Sequence, residues 1–249
     1  MAYAIRSAGI LLVALILACG ASLAVAAERV DLLLVLAVDV SRSVDSPKFE
    51  LQRQGYAAAI TDPRVVDAIR SGRGGRIALC YVEWSGAMSQ KVVVDWSVIG
   101  DMDSARQFSD RIIEASRSFA DRTSISGAIE FAMTQFDRAP VEAYRHTIDV
   151  SGDGTNNSGR DVGLVRDEAV NKGVTINGLP ILSDLPLAWN PEHTNPPGGL
   201  AEYYRKNVIG GPGAFVVVAE NFKSFGQAII NKLIAEIAQA STPVHAALR

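Results

Sequence analysis

The stretch Asp39-Val40-Ser41-Arg42-Ser43 closes the apolar run Val30 to Val38 and sets one carboxylate and two hydroxyls at alternating positions. These are three hard oxygen donors, suited to Mg²⁺, Mn²⁺ or Ca²⁺ rather than to zinc or copper. Alone, such a pattern is weak, because Asp and Ser are also ordinary turn and helix-cap residues. A cation held there needs further oxygens from other segments. Two stand in suitable places. Thr123 lies in Asp121-Arg122-Thr123-Ser124-Ile125-Ser126-Gly127, immediately before an amphipathic helix, and Asp153 lies in Ser151-Gly152-Asp153-Gly154, immediately after a predicted strand.

The elements that must carry these residues are marked by periodicity. Val30 to Val38 is nearly uninterrupted apolar sequence, the signature of a strand buried on both faces. Arg76–Trp84 and Gln90–Ile99 read as two more strands. The segment between them, Ser85 to Ser89, is too short for a crossover helix, so the pair is predicted to be an antiparallel hairpin with Gln90–Ile99 at the sheet edge. Helical spacing is clear in Ile125, Ala128, Ile129, Ala132, Met133 and Phe136, in Ala105, Phe108 and Ile112, and in Phe222, Phe225, Ile229, Leu233 and Ile237. Ser46-Pro47 predicts a helix start with Ser46 as N-cap, and Asp45 reads as a solvated turn carboxylate. Strands at His146–Val150 and Val174–Leu182 flank a helix over 161–171, and Ala214–Ala219 is predicted as a last strand.

This alternation predicts an α/β fold, a doubly wound and mostly parallel sheet with one antiparallel edge strand and helices on both faces. In such a sheet the strand C-termini share one edge, where ligands bind. The long segment Ser183 to Gly199, rich in Pro, Asn and Gly and carrying Trp189, Glu192 and His193, leaves a strand at that edge and is expected to border the Asp39 site as a specificity element.

The ends and the composition bound the setting. Arg6, the apolar Ile10 to Leu17 and the small residues Ala24-Val25-Ala26-Ala27 form an export signal over 1–27, leaving one domain over 28–249. The apolar run falls short of the ~20 residues that span a bilayer, so no transmembrane segment is expected in the mature chain. Soluble export to the periplasm or the extracellular space is the expectation. The alternative is a lipoprotein, since Ile16-Leu17-Ala18-Cys19 resembles a lipidation box with Cys19 as the anchor. Loss of a leader carrying Arg6 moves the formal net charge from −3 to −4. With no basic stripe, nucleic acid is not an expected partner. Cys80, within an apolar strand, reads as a core residue.

Taken together, Asp39, Ser41 and Ser43, then Thr123, then Asp153 make the sequence resemble the von Willebrand factor A domain, over about residues 30–240. More narrowly, it looks like an uncharacterised secreted bacterial subfamily of these domains. The resemblance implies a metal-ion-dependent adhesion site with those five residues as the metal set. Asp121-Arg122 stands where the family often has Gly, and Ser151-Gly152-Asp153 is longer by a small residue than the commoner Thr-Asp-Gly. The implied cofactor is a divalent cation, Mg²⁺ first and Mn²⁺ or Ca²⁺ as alternatives. The implied function is non-enzymatic capture of an acidic group of another protein.

Each residue also has a plainer role, Asp39 as a loop cap, Thr123 as a helix N-cap and Asp153 as a turn residue. The rival activity is a Mg²⁺-dependent phosphohydrolase of haloacid dehalogenase type with Asp39 as nucleophile. That chemistry needs an acid two residues further on, where Ser41 stands. No G-x-S-x-G elbow and no H-E-x-x-H run occurs either.

Overall fold

The computed structural model describes residues 29–118, 120–183 and 187–240; the expected leader over 1–27 and the candidate anchor Cys19 lie outside them. The apolar run forms a short strand β1 (Arg29–Val30) and the long β2 (Leu33–Asp39). They are separated at Asp31, whose N–H donates to Arg76 O and whose carboxylate accepts from Gly74 N. Two helices follow, α1 (Ser46–Ile60) and α2 (Pro63–Arg70), where one was expected. The break falls at Thr61-Asp62-Pro63, with Asp62 capping the second helix and Pro63 opening it. Then come the hairpin strands β3 (Ile77–Trp84) and β4 (Gln90–Ile99), helices α3 (Met102–Glu114) and α4 (Ile125–Phe136), and strands β5 (Glu142–Ala143) and β6 (His146–Gly152). Helix α5 (Val162–Asn171) leads to β7 (Val174–Pro180), the short helices α6 (Pro191–Thr194) and α7 (Leu200–Tyr203), a π-helical turn Tyr204–Val208 and the last helix α8 (Phe225–Ala240).

The main sheet has the order β4-β3-β2-β6-β7. All pairs are parallel except β3–β4, the predicted edge hairpin. A separate parallel pair joins β1 to β5. The predicted strand Ala214–Ala219 is a correction, since only isolated bridges at Val216 and Ala219 tie that segment to β7 and Ile181.

Period-two alternation builds two cores from one strand. Leu34, Leu36 and Val38 pack into the layer with α1, α2, α3 and α8, while Val35 and Ala37 pack into the layer with α4 and α5. Cys80 belongs to the second layer, and burial pushes its thiol up to about 12. Because the chain runs from β2 outward to β3 on one side and later returns to β6 on the other, β2 is the strand at which the order reverses. The crevice at its C-terminal end is where an open α/β sheet accepts ligands. Asp39 is the last residue of β2.

Beneath the sheet, Lys232 of α8 is fully buried between two carboxylates, 2.7 Å from Asp149 of β6 and 2.5 Å from Glu236. Asn177 of β7 donates to Glu236 at 2.9 Å. Lys232→Met is expected to leave both carboxylates buried and unpaired, costing about 3–5 kcal/mol. Urea denaturation checks this as a lowered midpoint at unchanged slope.

Candidate metal centre

Three loops meet at the C-terminal end of β2. The first, after β2, folds back on itself. Ser41 N donates to Asp39 Oδ1 at 2.7 Å, and Ser41 Oγ lies 3.1 Å from Ser43 Oγ. The second loop brings Thr123, whose hydroxyl donates to Ser41 Oγ at 3.1 Å. The third follows β6, which pairs Ser151 with Val38 of β2, so Asp153 arrives beside Asp39. Ser43 Oγ donates to Asp153 Oδ1 at 2.5 Å. All five sequence-predicted residues are therefore brought together, and all are buried.

The caps explain why the hydroxyls are available. Asp45, expected as a solvated turn residue, is the N-cap of α1, accepting from Lys48 N, and Ser46 is the first helical residue instead of the cap. Ser124, not Thr123, caps α4 by accepting from Gly127 N. Thr123 thus keeps its side chain for the cluster.

Side chains outside the motif fix the loops. Arg117 Nη2 lies 2.6–3.2 Å from the carbonyls of Val40, Ser41 and Val44, pinning the first loop to the segment that leads into the second. That segment is itself tied down by a buried ion pair, Arg53 of α1 with Glu83 of β3 at 2.6 Å. Arg53 donates to Ile112 O, Ala115 O and Ser116 O, and Glu83 accepts from Ser118 N. Asn157 clamps Thr123, its side-chain oxygen accepting from Thr123 N and its own N–H donating to Thr123 O, both at 2.9 Å.

His193, from α6 in the long segment, covers the cluster from the open side. Its Nε2 lies 3.2 Å from Thr123 Oγ1 and its Nδ1 lies 3.2 Å from Thr155 Oγ1. Its carbonyl accepts from Thr155 N at 2.9 Å. Gly154 permits the approach, because a Cβ there would come within 2.2 Å of the imidazole ring. The segment thus does border the site, and its residues 184–186 lie outside the described ones. With Arg42, Arg122, Trp189 and Asn190 it lines a cleft of 410 Å³.

The electrostatics call for positive charge. Burial and, next, the neighbouring Asp153 push the Asp39 carboxyl up to about 8. Burial also raises Asp153, against the hydrogen bond from Ser43 and the nearby Lys48, whose Nζ is 3.5 Å away. The second Asp39 oxygen, Oδ2, is buried without a hydrogen-bond partner. Burial lowers the pKa of His193, with Asp153 opposing.

A family model described as "Protein of unknown function (DUF1194)" matches residues 29–241. The chain belongs to this family. No curated protein sequence matches this DUF1194 chain. Among solved structures it is similar to a von Willebrand factor type A protein from Catenulispora acidiphila, at 14% identity and a TM-score of 0.57, covering 85% of this chain and 43% of that one. It is also similar to proximal thread matrix protein 1 from the mussel byssus, solved with a zinc-occupied adhesion-site motif, at 16% identity and a TM-score of 0.55, covering 85% and 46%. A third is an aerotolerance-related membrane protein from Bacteroides fragilis, at 20% identity and a TM-score of 0.51, covering 82% and 99%. The DUF1194 chain therefore spans less than half the length of the first two. The fold is that of a von Willebrand A domain.

The residues present fit a divalent cation. Oxygens bound about 2.1 Å from one ion at right angles lie about 3 Å apart, the spacing observed for Ser41–Ser43 and Ser41–Thr123. Among the described residues no three His, Cys, Asp or Glu side chains gather into a metal-holding group, so the hydroxyls must complete the set. Lys48, Arg117, Asn157 and His193 were missed as site residues. Asn157 reads as turn sequence and Arg117 as one more charged residue, while His193 carried a signal only through its place in the long segment.

Arg117→Met is expected to strand buried carbonyls and cost about 1–3 kcal/mol. Faster hydrogen exchange at the Ser41 to Val44 amides checks it.

Proposed function

We propose that this chain is an exported, divalent-cation-dependent binding module that captures an acidic group of another protein. The observation that carries the reading is the convergence of Asp39, Ser41, Ser43, Thr123 and Asp153 at the strand where the sheet order reverses, with Asp39 Oδ2 buried and unpartnered. When bound there, the cation supplies an electrophilic position for a partner carboxylate. Three of the five donors are neutral hydroxyls, and Lys48 already offsets part of the carboxylate charge. The loaded site is therefore net positive and accepts one more anion.

The cleft supports the partner's chemistry. Arg42 and Arg122 outnumber the one acidic group of its wall, Asp121, and favour an acidic approach, while Trp189, 69% exposed, offers the aromatic surface that anchors many interfaces. Zinc occupies the corresponding motif in the byssus protein, which supports a divalent ion here, with Mg²⁺ the first expectation for an all-oxygen set. The export reading rests on the leader-like residues 1–27. Among the described residues no helix is long and apolar enough to cross a membrane. Release to the periplasm or outside and retention through Cys19 are both compatible with that leader.

Calorimetric titration of the purified protein with Mg²⁺, Mn²⁺ and Ca²⁺ is expected to show saturable binding that Asp39→Ala removes while the far-UV spectrum is retained. Absence of both heat and thermal stabilisation in the wild type would overturn the cation site. Mg²⁺-dependent phosphatase turnover lost in Asp39→Asn would instead favour the hydrolase.

A further inference from the structure

Two buried oxygens without a hydrogen-bond partner among the described residues meet at one glycine. One is Asp39 Oδ2; the other is the hydroxyl of Tyr204, which opens the π-helical turn after α7. A Cβ on Gly152 would stand 2.8 Å from each of them. The two oxygens are therefore no more than twice that distance apart. Tyr204 is fully buried, and a buried phenol ordinarily finds a partner for its O–H, because an unmade bond there leaves the desolvation of the group uncompensated.

The path of the ring explains why the hydroxyl ends at this point. Gly178 of β7 pairs with Val150 of β6, so Gly178, Val150 and Gly152 face the same side of the sheet, the layer that holds Val150 and Tyr204. A Cβ on Gly178 would come within 2.8 Å of Tyr204 Cδ1. The ring thus crosses β7 at one glycine and delivers its hydroxyl at the next, on β6. Asp39, in step with Val35 and Ala37, faces the same layer from β2. Phenylalanine would fill this trough as well as tyrosine does, so packing does not account for the oxygen. Burial first, and then the Asp39 charge, push the Tyr204 phenol well above its ordinary value, so the group keeps its proton and can donate. The adjacent Tyr203 ties the same segment to the third loop, its hydroxyl accepting from Asn156 N at 3.0 Å.

We infer that Tyr204 is a positioning residue of the cation site, its hydroxyl donating to Asp39 Oδ2 in the loaded state. This rests on the cation-site reading above and deepens it. Asp39 Oδ1 already accepts from Ser41 N at 2.7 Å. With a donor on each oxygen the carboxylate is fixed in its plane and held in the charged form, and its remaining lone pairs are left for the ion. Hydrogen-bond partners of this kind orient metal-binding carboxylates, and losing one weakens binding by about ten- to a hundredfold. The contact also carries the state of the site into the Tyr204–Val208 turn, a helical irregularity of a kind frequent at functional sites.

Two measurements test this. Calorimetric titration with Mg²⁺, Mn²⁺ and Ca²⁺ compares the wild type with Tyr204→Phe, which removes the hydroxyl and keeps the ring. Affinity is expected to fall roughly tenfold or more. Proton NMR of wild-type protein labelled with ring-¹³C tyrosine follows the Tyr204 hydroxyl proton, assigned by its proximity to the Gly152 α-protons, before and after loading with Mg²⁺ or Ca²⁺. A downfield shift and slower solvent exchange on loading are expected. This second measurement needs no variant to fold, and a purely structural tyrosine would not respond to the ion. Cation binding that leaves the hydroxyl proton unmoved, or affinity within about threefold of wild type in Tyr204→Phe, overturns the inference and leaves the cation site standing. No cation binding by the wild type overturns both.

Discussion

Two carboxylates buried side by side are the constraint around which this molecule is arranged. Asp39 ends β2 and Asp153 follows β6, and parallel pairing of those strands forces the two side chains together at the closed end of a crevice. Without a counter-charge such a pair resists ionisation, as the raised pKa values of both groups show. Lys48 at 3.5 Å supplies part of what is needed. The rest falls to whatever cation the surrounding hydroxyls can hold. Burial that would be a liability in an ordinary core thus becomes the source of affinity.

The scaffold spends its buried polar groups on keeping that arrangement stiff. Arg117 gathers three carbonyls of the first loop, and the Arg53–Glu83 pair secures the segment from which it projects. Asn157 does the same for Thr123 from the third loop. Each loop is therefore held by a residue of another. The hydroxyls sit at ligand spacing because the backbone beneath them has little freedom, a form of preorganisation that lowers the cost of binding.

Much of this was readable in the chain, and the reasons differ by element. The uninterrupted apolar β2 and the short link between β3 and β4 left few alternatives, and the first and third motifs fell at strand ends with the second before a helix between them. The cap was misplaced by one residue at Asp45–Ser46, and the plainer cap role weighed for Thr123 falls to Ser124. Asp, Ser and Thr are all competent caps, so propensity alone does not separate adjacent candidates. The strand expected at Ala214–Ala219 failed for another reason. Val216 and Val217 pack into opposite layers, as strand residues would, but only Val216 and Ala219 form bridges, with β7 and Ile181. Arg117, Asn157 and His193 act across long sequence separations, and nothing local marks a residue whose role is to hold another loop.

Cys80 gives the molecule an independence from its chemical surroundings. It sits in the middle of β3, fully buried, with its thiol pushed up to about 12, so almost no thiolate forms at neutral pH. Oxidants have little to attack, and the described fold contains no cross-link that must be made or protected. The described fold can therefore form under reducing or oxidising conditions without oxidoreductase help. Its durability then depends on packing and on its buried ion pairs.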